Sequence, residues 1–589
     1  MTKLKSNIKY LIYSILSYLS IMAYLHMYYH PILEYILIPI IISLLFIYYK
    51  KFSDHIKLDK IYQVFIFIMS FILVLGYSYE IESTASLFFG SIPVFIISIL
   101  KVLGYYIFFK VLVNLILNFM HKPIYQEFKI VKKFSNHPFL YSFILLSIFY
   151  GIFLISYYPG VINYDNANQI KEMLGLHTRY LDAINPISDS TLTNFNPILH
   201  TVLLGGLFKI GYLIGNVNFG LFLYTLLQLI IVISIYSYAI SYTFKNTKSK
   251  IIPIIILLIA CITPTLGYYS ITAVKDTLYT AFLLLFTIRI YDYLKKDNIT
   301  KKDYVILFLV SMLVILFRNN GIYIVLLTLP FLLYKNKLPI IILTVLVFVS
   351  NYSFNNILLP TLGVSGTSIR EMLSIPFQQT ARLAEINPDA FTKEQQVIIG
   401  NVLDYDNLAN DYNEDLSDPV KNKYNKDATN EDLIKYFGVW FDGLIHHPFI
   451  YIDATINNIT SYFYPFESSW KVYHKLNPKL PEAGFDYHYN SLSSMRNAMH
   501  DYEVIFEYSP LGIILNMGVI TYLSILAFLM LINKNKYYIF LIPNIISILF
   551  CVLSPANTYY RYIYPSLVIM LFTFPLIKYQ LELTKQKVK

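Results

Sequence analysis

Apolar runs of eighteen residues or more recur along this chain, and they limit what it can become. In hydrocarbon every backbone group must be satisfied internally, by a helix or by a closed barrel. Barrel strands would give alternating segments of about ten residues, and these runs do not alternate. Over 589 residues, 56% are hydrophobic and only 14% are charged. The expected class is an all-α polytopic membrane protein. Tyrosines crowd the run ends, at Tyr28–Tyr29, Tyr48–Tyr49, Tyr157–Tyr158 and Tyr559–Tyr560, as interface anchors do. The basic N-terminus has no small-residue cleavage site before the next run, so it reads as a retained first helix rather than a signal peptide.

Fourteen spans are expected, at 8–28, 32–49, 61–77, 87–120, 138–158, 219–244, 251–267, 277–294, 304–317, 321–334, 339–352, 511–532, 537–553 and 562–577. The run 87–120 is long and carries Lys101, which suggests a tilt or a break. The loops richest in Lys and Arg fall at 1–9, 50–60, 121–133, 245–250, 295–302, 335–337, 533–536 and from 578 onward. All of them face the cytoplasm, with both termini, if each span crosses once. The net charge of +10 thus sets orientation and is no nucleic-acid signature. One further apolar stretch, 197–214, must not cross in this scheme. With Gly205, Gly206, Lys209 and Gly211 inside it and Gly215 just beyond, it is expected to be re-entrant, strongly tilted or broken. The layout divides into a four-helix membrane module at 1–137, a membrane core at 138–352, a mainly helical extracytoplasmic domain at 353–509, and a three-helix closing segment at 510–589.

This orientation gathers five segments on the outer face: the loop 159–196, the turns at 265–276, 318–320 and 554–561, and the domain at 353–509. Asp165 follows an aromatic-Pro-Gly turn in the first of them. It serves either as the N-cap of a short helix or as a functional acid held near the membrane surface. Lys275 and Asp276 head a span. Asp276 suits the helix dipole there, whereas Lys275 has the wrong sign and needs another partner. Arg318, followed by Asn319 and Asn320, and Arg561 beside Tyr559 place two guanidinium forks at the heads of other spans. Outer-face cations run against the positive-inside tendency. Three of them suggest either separate headgroup contacts or one phosphate pocket.

In the outer domain SIREMLSIPFQQTARLAE reads as a helix interrupted before Pro376. Its Arg370, Glu371, Gln378, Gln379 and Arg382 line a cleft or form a solvated face. The acidic stretch 404–432 lacks the Gly and closing Glu of a calcium loop. His446 and His447 read as a capping turn, and Trp470 and Tyr473 suit sugar stacking or interface packing equally. Cys261 and Cys551 lie within apolar runs and carry no metal spacing. No GxxxxGK[ST] or GxSxG motif is present, so nucleotide hydrolysis is unsupported.

The pattern resembles the GT-C superfamily of integral membrane glycosyltransferases, which use polyprenyl-phosphate sugars. Four features carry the likeness: Asp165 in YPGVINYDNANQ; the re-entry NPILH ending at His200, similar to that superfamily's HPP stretch; the turn with Pro264, Tyr269, Ser270 and Asp276; and the late turn with Tyr559, Arg561 and Pro565. The chain resembles more closely a group of Gram-positive multi-pass proteins of unassigned function, which share the PG-x-x-x-x-D-x-x-x-Q, RNNG-like, PFQQ-x-AR-like and YRY-x-x-P signatures. The likeness covers about 138–577. Many superfamily members have paired acids in the first loop, and here Asp165 is followed by Asn166.

The resemblance implies transfer of a sugar from a polyprenyl-phosphate donor to a cell-envelope acceptor, whether polysaccharide, teichoic acid or protein. It implies Asp165 as general base with Gln169 at best a helper, and Lys275, Asp276, Arg318 and Arg561 at the donor phosphate. His200, Asn319, Asn320, Tyr559 and the polar set of the outer domain would line the acceptor pocket. No cofactor is expected; some superfamily members need a divalent metal, but too few carboxylates cluster to predict one. Two other classes stay open. A transporter or flippase for an anionic envelope precursor would usually show inverted repeats, and none is evident. A structural envelope protein would leave the three outer cations unexplained.

Overall fold

The computed structural model describes residues 2–28, 31–54, 56–124, 129–182, 191–466, 480–485, 492–553 and 556–586. Among the described residues the chain is helical without a strand, apart from isolated β-bridges. Among the described residues six helices are long and apolar enough to cross a membrane: Lys60–Glu82, Ile92–His121, Pro138–Ser156, Val217–Asn246, Lys337–Thr361 and Tyr560–Thr584. A bent pair, Ile251–Ile262 with Pro264–Ile271, makes a seventh if it is one span.

Two differences from the sequence-based expectation, and one break that it foresaw, have local causes. The run 251–267 is broken by a 64° bend at Thr263. Pro264 lacks an N–H and excludes the helical conformation from the residue before it; Thr263 is accordingly extended, at φ −78° and ψ 108°. The run 87–120 is also divided, into Ser86–Phe89 and Ile92–His121, where the Ser91 side chain caps the second helix by accepting from Val94 N–H. The stretch expected to be re-entrant, strongly tilted or broken is not broken: it contains one continuous helix, Ile198–Leu213. Its glycines allow close approach instead of weakening it. A Cβ on Gly205 would strike Met173, and one on Gly211 would strike the backbone of Gly220. At 1.5 Å per residue its 16 residues span about 24 Å, short of the ~30 Å hydrocarbon core. Met517–Ile532, Lys536–Val552 and Gly321–Leu332 are likewise shorter apolar helices, so length alone does not assign fourteen crossings.

The helix Lys275–Lys295 lies at the centre of the bundle and is buried on all sides. Surrounded by protein, it can hold Thr277, Thr280 and Thr287, all fully buried. Thr277 donates to Tyr269 O at 2.8 Å and Thr287 to Leu283 O at 2.9 Å. The segment after the Lys337 helix builds a core of its own around Phe377, Leu383, Ile399, Leu408, Tyr436 and Tyr451. Its central helix, Ser374–Ile386, follows a 3-10 turn at Ile369–Met372, so the expected interruption falls at Leu373.

The five segments grouped by sequence do meet at one end of the bundle. Isolated bridges pair Val161 with Thr272, Thr193 with Ser365, and Leu416 with Ala556. At the far end Lys578, fully buried, donates to the carbonyls of Phe119 (2.7 Å), Met120 (3.2 Å) and Lys122 (2.7 Å). It also pairs with Glu582 at 3.3 Å. The last helix thereby brings a donor to the carbonyls at the end of Ile92–His121.

Candidate functional site

Asp165 is not a helix cap. The helix Tyr164–Met173 starts one residue earlier, with Asn163 as its cap in a reciprocal box: Asn166 N–H donates to Asn163 Oδ1 (3.2 Å) and Asn163 N–H to Asn166 Oδ1 (3.1 Å). The carboxylate is thus free to point elsewhere. Its loop is held against the Lys275 turn by two backbone bonds, Val161 N–H to Ile271 O (3.1 Å) and Ala273 N–H to Val161 O (2.8 Å). Gly160 makes this approach possible. It sits at φ +129°, and a Cβ there would collide with the Thr225 side chain.

Four chain segments then converge. Arg561 donates to Asp165 Oδ2 at 2.8 Å, and Lys275 Nζ lies 3.8 Å from the same oxygen. Tyr180 donates to Oδ1 at 3.2 Å. Lys275 also donates to Asn196 Oδ1, which gives the ammonium the partner that its place at a helix start does not. Asp276, 1% exposed, is ion-paired with Arg318. The ring of Tyr562 lies between the two guanidinium groups, 5.2 Å from that of Arg318 and 5.3 Å from that of Arg561, and Tyr559 adds a contact to Arg561 at 5.2 Å. Three cations against two carboxylates leave one positive charge in excess. Burial by itself would raise the Asp165 carboxyl; the charges of Arg561 and Lys275, with hydrogen bonds from Arg561 and Tyr180, outweigh it and hold the group well below the usual carboxylate range.

Gln169 and His200 form a second, fully buried network behind this cluster. His200 is hydrogen-bonded through one ring nitrogen to Gln169 Oε1 (3.1 Å) and through the other to the Tyr224 hydroxyl (2.7 Å). Gln228 continues it to the carbonyls of Ser270 (3.0 Å) and Thr272 (2.8 Å). This network ties the helix that carries Asp165 to the turn that leads into Lys275. Asn319 faces the other way and donates to Asn194 O at 2.9 Å, while Asn320 borders a narrow hollow with Arg318 and Tyr562.

The polar set of the outer domain divides. Arg370 reaches the site, its guanidinium 5.9 Å from the Phe195 ring, which stacks on Tyr180 at 5.0 Å. Glu371 pairs with Arg370 (3.3 Å) and Lys421 (2.8 Å). Gln378, Gln379 and Arg382, expected to face an acceptor, do not. Gln378 donates to Asn413 O (2.7 Å), Gln379 donates to Thr455 (2.9 Å) and accepts from Trp440 (2.9 Å), and Arg382 donates to Glu385 (2.8 Å) and Ser83 O (3.2 Å). Their helix is the centre of the outer core, so its polar groups are used internally. Trp470 and Tyr473 lie outside the described residues. Among the described residues no three His, Cys, Asp or Glu side chains are grouped as metal ligands would be.

Sequence reasoning missed Tyr180, Asn196 as the partner of Lys275, and Tyr562. It also missed Glu172, seven residues after Asp165 on the same helical stripe, a spacing that could have revealed it. Glu172 is 1% exposed. Its Oε1 accepts from the Thr193 hydroxyl at 2.6 Å, and Oε2 is buried with no partner among the described residues. Burial pushes its carboxyl up to about 7, against hydrogen bonds from Thr193. The folded protein therefore keeps a proton that the unfolded chain loses above about 4.5. Stability from this group is greatest below that pH, falls as pH rises, and levels off beyond about 7, a total of ~3 kcal/mol. Glu172→Gln is expected to flatten this fall in thermal unfolding measured between pH 5 and 8, and an unchanged slope would remove Glu172 as its source.

A family model described as a family of unknown function, DUF6020, matches residues 5–588. No curated protein and no solved structure matches the chain.

Proposed function

The chain belongs to the DUF6020 family, and we propose that it is a membrane glycosyltransferase of GT-C type, moving a sugar from a polyprenyl-phosphate donor to a cell-envelope acceptor at the extracytoplasmic face. One observation carries this reading: Asp165, Asp276 and three cations from separate parts of the chain form a single cluster with one positive charge over. A polyprenyl-phosphate sugar is a phosphodiester with one negative charge. In this reading the chain crosses the membrane fourteen times with both termini cytoplasmic, and the cluster lies on the side opposite the Lys-rich short loops.

In this reading the donor phosphate binds Arg561 and Lys275 and draws them off Asp165, whose basicity then rises. The carboxylate accepts the proton of an acceptor hydroxyl as its oxygen attacks the anomeric carbon. The bond from that carbon to the phosphate oxygen breaks, and its electron pair leaves with the polyprenyl phosphate. The second charge developing there is stabilised by the same cations. Arg318 acts on this site through Asp276 and the shared Tyr562 ring. Neither a nucleotide nor a redox cofactor is needed.

The test is incubation of the purified protein in lipid nanodiscs with labelled polyprenyl-phosphate sugars and a cell-envelope fraction. Label should move from the lipid to the acceptor, and Arg561→Gln should reduce this at least tenfold. Movement of the lipid between leaflets with its sugar still attached would establish transport in place of transfer.

A further inference from the structure

A cavity of about 350 Å³ lies beside the cation cluster and opens between the helices that end at Phe317 and Ser353. Among the described residues no charged side chain lines it, and five asparagines do: Asn194, Asn319, Asn351, Asn355 and Asn356. The wall between cavity and cluster is only two short segments thick. Asn196 and Arg318 serve the cluster side, and Asn194 and Asn319, two residues and one residue away, serve the cavity side.

The local backbone is unusual there. The helix Lys337–Ser353 runs into a π-helical turn at Phe354–Leu358, the kind of irregularity often found at functional sites. It places Asn355 where it accepts from Asn194 Nδ2 (3.1 Å) and donates to Asn351 (3.0 Å). Below the cavity the same helix exposes Ile341, Val345, Phe348 and Val349, and the turn exposes Ile357 and Leu358. The cavity therefore sits at the end of an apolar face that fits a bilayer.

We infer that this cavity holds the neutral, hydroxyl-rich headgroup of a lipid, which is the sugar of the donor if the phosphate binds the neighbouring cations. The inference rests on the proposed function for that last identification alone. Side-chain amides both donate and accept, as hydroxyl groups require. A charged headgroup would be desolvated here without an opposite charge. The volume lies within the range of small-molecule sites, and the apolar approach favours a ligand delivered from the membrane.

The experiment compares Kd values in nanodiscs for three probe sets: undecaprenyl phosphate without sugar; undecaprenyl phosphate carrying glucose, mannose, xylose or N-acetylglucosamine; and dodecyl glycosides of the same sugars. At least one sugar should bind tenfold tighter than the sugar-free lipid. Asn355→Leu, and separately the exposed Asn319→Leu, should abolish that advantage while leaving the sugar-free lipid within twofold. Arg561→Gln should weaken all phosphate-bearing probes. If no sugar gives an advantage, or if both asparagine variants keep it, the cavity assignment is overturned while an Arg561-dependent phosphate site stands. If dodecyl glycosides bind in an asparagine-dependent way and Arg561→Gln changes nothing, the cavity stands and the phosphate reading falls.

Discussion

Asp165→Asn is expected to lower sugar transfer by about 10²–10⁴-fold, the usual contribution of a positioned general base, with the protein still at its normal level in the membrane. Arg561 and Lys275 contact Asp165 at 2.8 and 3.8 Å, so the substitution releases both. Binding of undecaprenyl phosphate should hold or tighten at the same time. That combination, chemistry lost and phosphate binding kept, separates a base from a structural anchor. Transfer at the wild-type rate would remove Asp165 from the mechanism, and loss of phosphate binding along with activity would make it a positioning residue.

Arg318→Gln should have the largest effect on stability. Asp276 is 1% exposed and Arg318 is its ion-pair partner, so the substitution leaves a buried carboxylate without its counter-charge. Breaking such a pair from one side costs about 3–5 kcal/mol. The guanidinium also loses its contacts with the rings of Tyr279 and Tyr562, each at 5.2 Å. Thermal unfolding in detergent should register the loss, and adding Asp276→Asn should recover much of it by removing the stranded charge. If the double variant is as unstable as the single one, the pair is not the source and the ring contacts are.

The cluster could be foreseen because its members violate general tendencies. Lys275 stands at the wrong end of a helix for its charge, and Arg318 and Arg561 stand in short turns expected on the side opposite the Lys-rich short loops, so each needed a partner. Their partners could not be foreseen in the same way. Tyr180 and Asn196 meet Asp165 and Lys275 through the path of a loop, which leaves no periodic trace. Gln378, Gln379 and Arg382 misled for a related reason. A polar stripe on a helix looks the same whether it faces a cleft or an internal partner, and only the position of Ser374–Ile386 at the centre of its own core decides. Glycines misled in the opposite sense. In Ile198–Leu213 they read as weak points, but Gly205 and Gly211 are where other segments press closest. The bend at Thr263 was within reach of the sequence, because Pro264 forbids what the apolar run alone suggested.

Lys578 has a consequence for how this protein is made. The carbonyls it satisfies belong to residues 119–122, and more than 450 residues must be synthesised before that ammonium exists. Until then the end of Ile92–His121 lacks these donors, and only the helix Tyr560–Gln586 supplies them. Truncation shortly before Lys578 would therefore harm the beginning of the chain rather than its end.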